Sequence, residues 1–412
     1  MALIPDERFE ELRADRISEL ARLRQDGTRV VGYFSFYTPV EVIKACGAEP
    51  VRLNRGGFEA ETSGTRHLRS DACPYCLSSM GNLELDPLYR LVDAVVSVNT
   101  CDMLRRLPET IHRQSGLPVY QVYMPRTSEP LPHRVAEFRR NIEWLAGEME
   151  TFTGTKFEEE KAVLETGRLN RVRQRLRSID QTRKQDDPKL TESDVLNLVA
   201  LATLLGEAGT DNVLSEVEHA VSADHGLAAR PHLTGIGHPH PIPPAPGRGN
   251  EREGVSVPSA IHSTPGQASV RRYRLALAGS EMAELDRWLV HLLESKASVV
   301  TDLLDTGTRW FEDDIELAGG VFEDLARFYY SRSPCITRRP NLAAYVLAGK
   351  KLDEYRVQGL VYKTLLYCDP WDFEAVRLRQ ELEIPMLHVD GNYSAENREQ
   401  LRTRVEAFLE SL

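Results

Sequence analysis

Three widely separated cysteines combine features expected of ligands to an iron–sulfur cluster. Cys73 opens a Cys-Pro-Tyr-Cys sequence after a polar run, and Cys101 and Cys368 each precede Asp after an apolar, β-like run. Such a cluster needs thiolates held on a rigid frame, which the ends of parallel strands supply. A single cysteine of this kind is more often a buried, inert thiol. Taken together, Cys73, Cys101 and Cys368 are predicted to converge on a cluster.

The other cysteines leave alternatives open. The Cys-Pro-Tyr-Cys sequence also resembles the glutaredoxin active site, in which a helix start lowers a thiol pKa and favours disulfide exchange. That dithiol chemistry requires a strand directly before Cys73, whereas residues 62–71 are polar and predicted to form a loop. Cys76 and Cys335 are less certain ligands, and Cys46 is interpreted as a small core thiol.

Composition and charge restrict the class of protein. The 412 residues are 41% apolar and 27% charged, as in globular proteins of two or more domains. A net charge of −11 argues against a general nucleic-acid binder. No apolar run is long enough to span a bilayer, and the N-terminus is too acidic for a signal peptide. We therefore expect a cytoplasmic protein without a membrane partner, whose six cysteines stay reduced, bind metal or act in catalysis.

Strand and helix patterns alternate near both ends of the chain, and this alternation predicts an α/β fold with a parallel sheet at each end. The predicted strands are residues 28–35, 49–53, 94–98, 119–123, 273–278, 298–304, 359–366 and 384–389. Long charged segments with apolar residues at helical spacing lie between the two series. The predicted organisation is an N-terminal α/β domain (1–131), a helical segment (132–221), a Pro/Gly/His-rich insertion or linker (222–270) and a C-terminal α/β domain (271–412).

Two local predictions accompany this plan. The strands at 94–98 and 119–123 are expected to be joined by a short polar connection, and residues 282–295 are expected to form one helix. Within the insertion, His238 and His240 could bind a metal, but nothing rigid directs their side chains, so a solvated loop is the preferred interpretation.

Several stretches, spread in a fixed order along most of the chain, together resemble those of a known protein family. They are residues 31–35, residues 47–53, Cys73-Pro74 with Ser78, Ser79 and Gly81, Thr100-Cys101-Asp102, Tyr367-Cys368-Asp369-Pro370 and residues 400–410. Together they resemble subunits of the 2-hydroxyacyl-CoA dehydratase and benzoyl-CoA reductase family. The resemblance implies two flavodoxin-like domains and a [4Fe-4S] cluster on Cys73, Cys101 and Cys368, with one iron open to a small ligand or substrate.

The resemblance also implies partners and a reaction. A homologous second subunit would pair with the chain, and an ATP-dependent activator, itself an iron–sulfur protein, would supply an electron at low potential. The electron would reduce a CoA thioester to a ketyl radical, which allows dehydration, or would reduce an aromatic ring in the reductase branch. Two alternatives are a homodimeric iron–sulfur reductase with a double-cubane cluster and a non-catalytic structural subunit.

Other site residues are assigned from their position and from departures from the family. Ser35 is a candidate hydrogen-bond donor to the thioester carbonyl, because Phe36 stands where relatives often have a small hydroxyl residue. Glu41 is a candidate for proton transfer, although a surface glutamate at a helix start is about as reasonable. Asp305 stands where several relatives carry Cys, which weakens the double-cubane alternative. The basic pair at 338–339 could contact CoA or lie on an ordinary surface.

Overall fold

The computed structural model describes residues 2–222, 272–332 and 335–412, and the elements follow in chain order. The strands are β1 Val30–Tyr33, β2 Glu49–Arg52, β3 Ala94–Val98, β4 Val119–Val122, β5 Arg274–Gly279, β6 Ser298–Asp302, β7 Gly359–Leu365 and β8 Met386–Gly391. The α-helices are α1 Asp6–Gln25, α2 Val40–Ala45, α3 Phe58–Gly64, α4 Pro74–Leu85, α5 Asp102–Ser115, α6 Pro132–Thr153, α7 Glu159–Asp180, α8 Glu192–Ala202, α9 Glu207–Ser222, α10 Trp288–Glu294, α11 Val321–Ser331, α12 Leu342–Glu354, α13 Asp369–Glu381 and α14 Arg398–Glu410.

The strands form two four-stranded sheets in which every pairing is parallel. The first sheet has the order β2-β1-β3-β4 and the second the order β6-β5-β7-β8. Each order is the flavodoxin-like arrangement without its fifth strand. The predicted α/β fold with two parallel sheets is therefore confirmed. In such sheets ligands bind beyond the carboxyl ends of the strands, where the order reverses, which is between β1 and β3 and between β5 and β7.

The central strands are apolar because both faces of each sheet are covered. Every residue of β1, β3 and β7 is buried, so these strands lack the alternation of polar and apolar residues that a half-exposed strand shows. Their burial supplies much of the hydrophobic stabilisation, at roughly 25 cal/mol per Å² of apolar surface. Rigid strands of this kind fix the positions of the residues that follow them.

Four long helices, α6 to α9, lie between the two sheets in sequence. Helix α6 packs against α11, α7 packs against α2, and α8 contacts α10 and β6. Residues 1–221 and 272–412 form one compact unit. The division into separate domains at the predicted boundaries stays a prediction, and the insertion with His238 and His240 lies outside the described residues. No helix in the described part of the chain is long and apolar enough to cross a membrane.

Three local predictions were wrong in part. The connection after β3 is not short, because the helix α5 fills residues 102–115 despite Pro108 in its interior. The predicted loop at 62–71 begins inside α3. Helix α10 begins only at Trp288, because the N–H groups of Glu284 and Leu285 bind the carbonyls of residues 54 and 55, at 2.9 and 3.0 Å. The earlier part of that segment is thus used to join the two halves of the chain.

Candidate functional site

Cys73, Cys101 and Cys368 occupy equivalent positions in the local structure. Each is the residue immediately before an α-helix: Cys73 before α4, Cys101 before α5 and Cys368 before α13. The Sγ atom of Cys101 accepts a hydrogen bond from the N–H of Leu104 at 3.4 Å. The positive end of a helix favours a thiolate, and backbone N–H groups at the starts of α4 and α5 lower the pKa of Cys73 and Cys101, although burial outweighs this effect at Cys101.

The structure brings the predicted cysteines together, and Cys76 joins them. The thiols of Cys368 and Cys76 donate hydrogen bonds to the sulfur of Cys73, and these bonds hold the pKa of Cys73 well below its ordinary value. The same bond raises the pKa of Cys76, and burial raises it further. The pKa of Cys368 is also raised, first by its bond to Cys73 and then by burial. Cys73 is therefore the cysteine of the group whose surroundings favour the thiolate.

Cys101 and Cys335 lie at the edge of this group. Burial raises the pKa of Cys101 to about 12, and the charges of Cys73 and Cys335 contribute to the shift. The N–H of Cys335 donates to the Tyr37 hydroxyl at 2.9 Å. Cys101, Cys335 and Cys368 are partly exposed, whereas Cys73 is buried, so solvent reaches the group at its partly exposed members.

The sixth cysteine is separate from the group, as the sequence predicts for a core thiol. Cys46 is buried at the end of α2, where its Sγ lies 3.8 Å from the carbonyl oxygen of Ala146. Burial raises its pKa to about 11, so it stays protonated at neutral pH. Cys46 therefore offers a control position for chemistry at the other thiols.

The donor set of the group consists of thiols. Within residues 2–222, 272–332 and 335–412, no three His, Cys, Asp or Glu side chains are arranged to hold one metal ion. The ligands of a cubane cluster bind separate iron atoms, so their sulfur atoms need not point at one centre. Thiolates are also the donors that iron–sulfur clusters take in proteins. The chemistry of the group therefore fits a [4Fe-4S] cluster.

A buried acidic pair lies beside the cysteines. Arg52, the last residue of β2, places its Nη2 atom 3.1 Å from Glu281 Oε1 and 3.4 Å from Asp305 Oδ2. Burial raises the pKa of Glu281 well above its ordinary value, and the charge of Asp305 and then that of Cys73 raise it further. These effects favour the protonated form of Glu281, while the charge of Arg52 opposes them. The sequence analysis missed Glu281, although it follows β5 at the reversal point of the second sheet.

The predicted catalytic residues Ser35 and Glu41 have other partners in the structure. Ser35 is buried, and its Oγ accepts from the N–H of Tyr37 at 3.2 Å, as in a turn. Glu41 is fully buried rather than at the surface: Tyr329 donates to its Oε2 at 2.8 Å, and Arg173 lies 3.6 Å from its Oε1. Burial raises the pKa of Glu41. The catalytic roles of both residues stay predictions.

The basic pair at 338–339 is not a surface pair. Arg338 is 2% exposed and donates to the carbonyl oxygens of Tyr330 and Thr127, at 2.7 and 2.9 Å. Arg339 is half-exposed and lies 2.8 Å from Glu374. The Arg338 guanidinium is engaged inside the protein, whereas Arg339 lies at the surface, so a direct role in holding CoA is left to Arg339 at most.

Comparison with known proteins gives a consistent picture. The chain matches the model of the family described as "2-hydroxyglutaryl-CoA dehydratase, D-component" over residues 35–412. It is 23% identical over 424 aligned residues to YjiM of Escherichia coli (strain K12), which is named as a dehydratase subunit, with 100% of each chain covered. It is 19% identical over 401 residues to the (R)-phenyllactyl-CoA dehydratase beta subunit of Clostridium sporogenes, with 95% of this chain and 94% of that one covered. A solved structure of FpvC from Pseudomonas aeruginosa covers 93% of this chain and is itself fully covered, but its 13% identity and TM-score of 0.21 carry no argument.

Proposed function

We propose that the chain is a subunit of a 2-hydroxyacyl-CoA dehydratase. The chain belongs to the family of 2-hydroxyglutaryl-CoA dehydratase D-components. In this proposal Cys73, Cys101 and Cys368 hold a [4Fe-4S] cluster. The observation that carries the proposal is the meeting of these cysteines, each at a helix N-terminus, in one group whose sulfur atoms shift one another's pKa. Two of them follow strands of different sheets, so only the folded chain assembles the group.

The chain's own residues hold and shape this site. The N–H groups at the starts of α4 and α5 stabilise charge on Cys73 and Cys101. Three cysteines would leave one iron of a four-iron cluster without a protein ligand, and Cys101 and Cys368 are partly exposed. When bound, the cluster would supply one electron to a CoA thioester. Burial, the charge of Asp305 and then that of Cys73 raise the pKa of Glu281, so its carboxyl group would be the one to hold a proton beside the cysteines.

The proposal includes partners. The family description names a component, and the Clostridium sporogenes relative is named as a beta subunit. We therefore propose that the chain pairs with a homologous second subunit. Since the open iron needs an electron at low potential, we further propose that an ATP-dependent activator, itself an iron–sulfur protein, supplies it. The substrate would be a CoA thioester of a 2-hydroxy acid.

Iron and acid-labile sulfide in anaerobically purified protein test the cluster. About four irons per chain are expected, whereas about eight would favour the double-cubane alternative, and none would favour a structural subunit. Cys46→Ser is the matched control and should keep the full iron content, because Cys46 is separate from the group. Dehydration of 2-hydroxyacyl-CoA substrates by the chain with its partner and activator tests the reaction. A loaded complex that reduces an aromatic acyl-CoA instead would contradict the dehydratase assignment.

A further inference from the structure

An apolar pocket lies beside the cysteine group in the second half of the chain. Residues of β5, of the segment after β6 and of helices α12 and α13 line it, and its volume is about 50 Å³. Two lining residues adjoin cysteines of the group. Ile336 directly follows Cys335, and the N–H of Trp371 donates to the carbonyl oxygen of Cys368 at 3.0 Å. The pocket also lies at the carboxyl ends of β5 and β6, where parallel sheets bind their ligands.

The lining of this pocket is formed mostly by carbon. Apart from Arg309 and Glu374, every described lining side chain is aliphatic or aromatic. The guanidinium carbon of Arg309 lies 5.0 Å from the centre of the Phe36 ring, so an aromatic face attracts its charge. Solvent reaches the lining at its partly exposed members, which include Leu347 and Trp371. A ligand held at the cysteines could therefore extend an apolar group into the pocket.

The hydroxyl and carboxylate groups of the lining are engaged within the protein. Glu374 Oε1 accepts from the Tyr345 hydroxyl and from Asn341 Nδ2, the latter at 2.8 Å, and Oε2 accepts from Arg339 at 2.8 Å. The Tyr362 hydroxyl donates to a backbone carbonyl of α13 at 2.7 Å. A buried water requires about two to four polar partners, so this lining favours an apolar group over water.

The size and charge of the pocket restrict that group further. A cavity of about 150 Å³ holds one benzene molecule, so a third of that volume has room for roughly two or three carbon atoms and is too small for an aromatic ring. A carboxylate would meet Glu374 as well as Arg309, whose opposite charges offset each other, and would lose its hydration. The pocket therefore fits the end of a short aliphatic chain.

We propose that this pocket receives the end of the acyl chain of the substrate and selects 2-hydroxyacyl-CoA thioesters with about two or three apolar carbon atoms beyond carbon 3. This inference rests on the proposed function, because the thioester must lie at the cysteines for the chain end to enter the pocket. Dehydration removes the hydroxyl group from carbon 2 and a proton from carbon 3 as one water, and a double bond forms between these carbons without net oxidation. The seated chain end fixes the orientation of carbon 3 for this elimination.

Binding of a series of CoA thioesters tests the selection. Isothermal titration calorimetry on the anaerobically purified complex of the chain with its partner compares lactoyl-CoA, 2-hydroxypentanoyl-CoA, 2-hydroxy-4-methylpentanoyl-CoA, phenyllactyl-CoA and 2-hydroxyglutaryl-CoA. The dissociation constant should fall about fourfold for each apolar carbon beyond carbon 3. The phenyl and carboxylate compounds should bind no more tightly than lactoyl-CoA. Equal binding of the aliphatic and phenyl compounds would overturn the pocket alone, whereas no binding of any thioester would overturn the proposed function with it.

Variants of α12 locate the effect in the pocket. Ala344→Leu fills it and should weaken binding of 2-hydroxypentanoyl-CoA by about tenfold, with lactoyl-CoA unchanged. Ala343→Leu is the matched control, because Ala343 is exposed on the same helix and does not line the pocket. Leu347→Ala enlarges the pocket and should tighten binding of phenyllactyl-CoA by about tenfold, a gain that misfolding cannot produce.

The outcomes that would refute the pocket are distinct from a failure to fold. Equal effects of Ala344→Leu and Ala343→Leu would contradict it, and if Ala344→Leu does not fold, an unchanged affinity of Leu347→Ala for phenyllactyl-CoA would do so. Crystals of the full chain under xenon pressure should show a xenon peak inside the pocket, as apolar cavities do. Ordered water in its place would show that the pocket is polar and would refute the inference independently of the reaction.

Discussion

The two sheets of the molecule share one strand order, but the residues that follow their strands differ in chemical type. Cys101 and Cys368 follow the third strand of their sheets, three residues beyond Val98 and Leu365. Both precede Asp at the start of a helix. The same topology used twice therefore places one thiol at the reversal point of each sheet. Cys101 and Cys368 therefore occupy equivalent positions in the two sheets, although no short sequence motif contains both residues.

The remaining site residues break this equivalence. The first half inserts the α3–α4 pair between its second and third strands, and this pair supplies Cys73 and Cys76. In the second half, Glu281 stands two residues beyond β5, where the first half has Ser35 two residues beyond β1. One half therefore contributes most of the thiols and the other contributes the buried acid. The comparison indicates that the site depends on both halves but for different functions.

The largest effect is expected from substitution of the two equivalent cysteines, Cys101 and Cys368. Cys101→Ser and Cys368→Ser should each lower the iron content from about four per chain to below about one, because a hydroxyl binds iron poorly. The measurement is iron and sulfide per chain after anaerobic purification, with Cys46→Ser as the control. A cluster that survives one substitution at full content would show that the two positions are not equivalent.

The next effect concerns the close packing of α3 against α4 in the first half. A Cβ at Gly81 would lie 2.0 Å from the carbonyl oxygen of Ala60, so Gly81→Ala must force α4 away from α3. We expect a loss of roughly 1–3 kcal/mol in the free energy of unfolding, as in other overpacked interiors. Urea denaturation followed by circular dichroism measures it.

A matched glycine provides the control for this substitution. Gly147 lies within α6, and a Cβ there would meet no atom within 4 Å. Gly147→Ala should therefore stabilise the chain by about 0.5–1 kcal/mol, since alanine favours the helix. Similar changes in both variants would argue that the close approach of α3 and α4 does not matter.

The smallest effect tests the acid of the second half. Because the pKa of Glu281 is raised in the folded chain, the folded state keeps a proton that the unfolded state releases as the pH rises above about 4.5. Stability should therefore fall as the pH rises through this window, by up to about 1.4 kcal/mol per pH unit from this group. Glu281→Gln cannot titrate and should flatten the slope, as measured by denaturation of the cluster-free chain between pH 5 and pH 8. An unchanged slope would remove Glu281 as a proton-holding group.

Much of the fold could be predicted from the sequence because its signals are local. Short apolar runs in the sequence predict the buried strands, and the runs before Cys101 and Cys368 correspond to β3 and β7. The helix α5 was missed although Leu104, Leu107 and Ile111 recur at helical spacing, because Pro108, a helix breaker, lies in its interior. The segment before Trp288 was predicted as helical because Leu285 matches a helical period, yet its N–H binds a distant carbonyl and its side chain is half-exposed.

The sequence by itself determined the strands, the cysteines that follow two of them and the family to which these motifs point. Only the tertiary structure decided that Cys76 lies beside Cys73 as a hydrogen-bond donor, that Arg52 pairs with Glu281, 229 residues away, and that Arg287 is buried beside a cavity. Local periodicity records which face of an element is buried, but it does not record which other element covers that face. The carboxyl ends of two sheets must pack together before thiols, carboxylates and guanidinium groups from distant segments can change one another's charge.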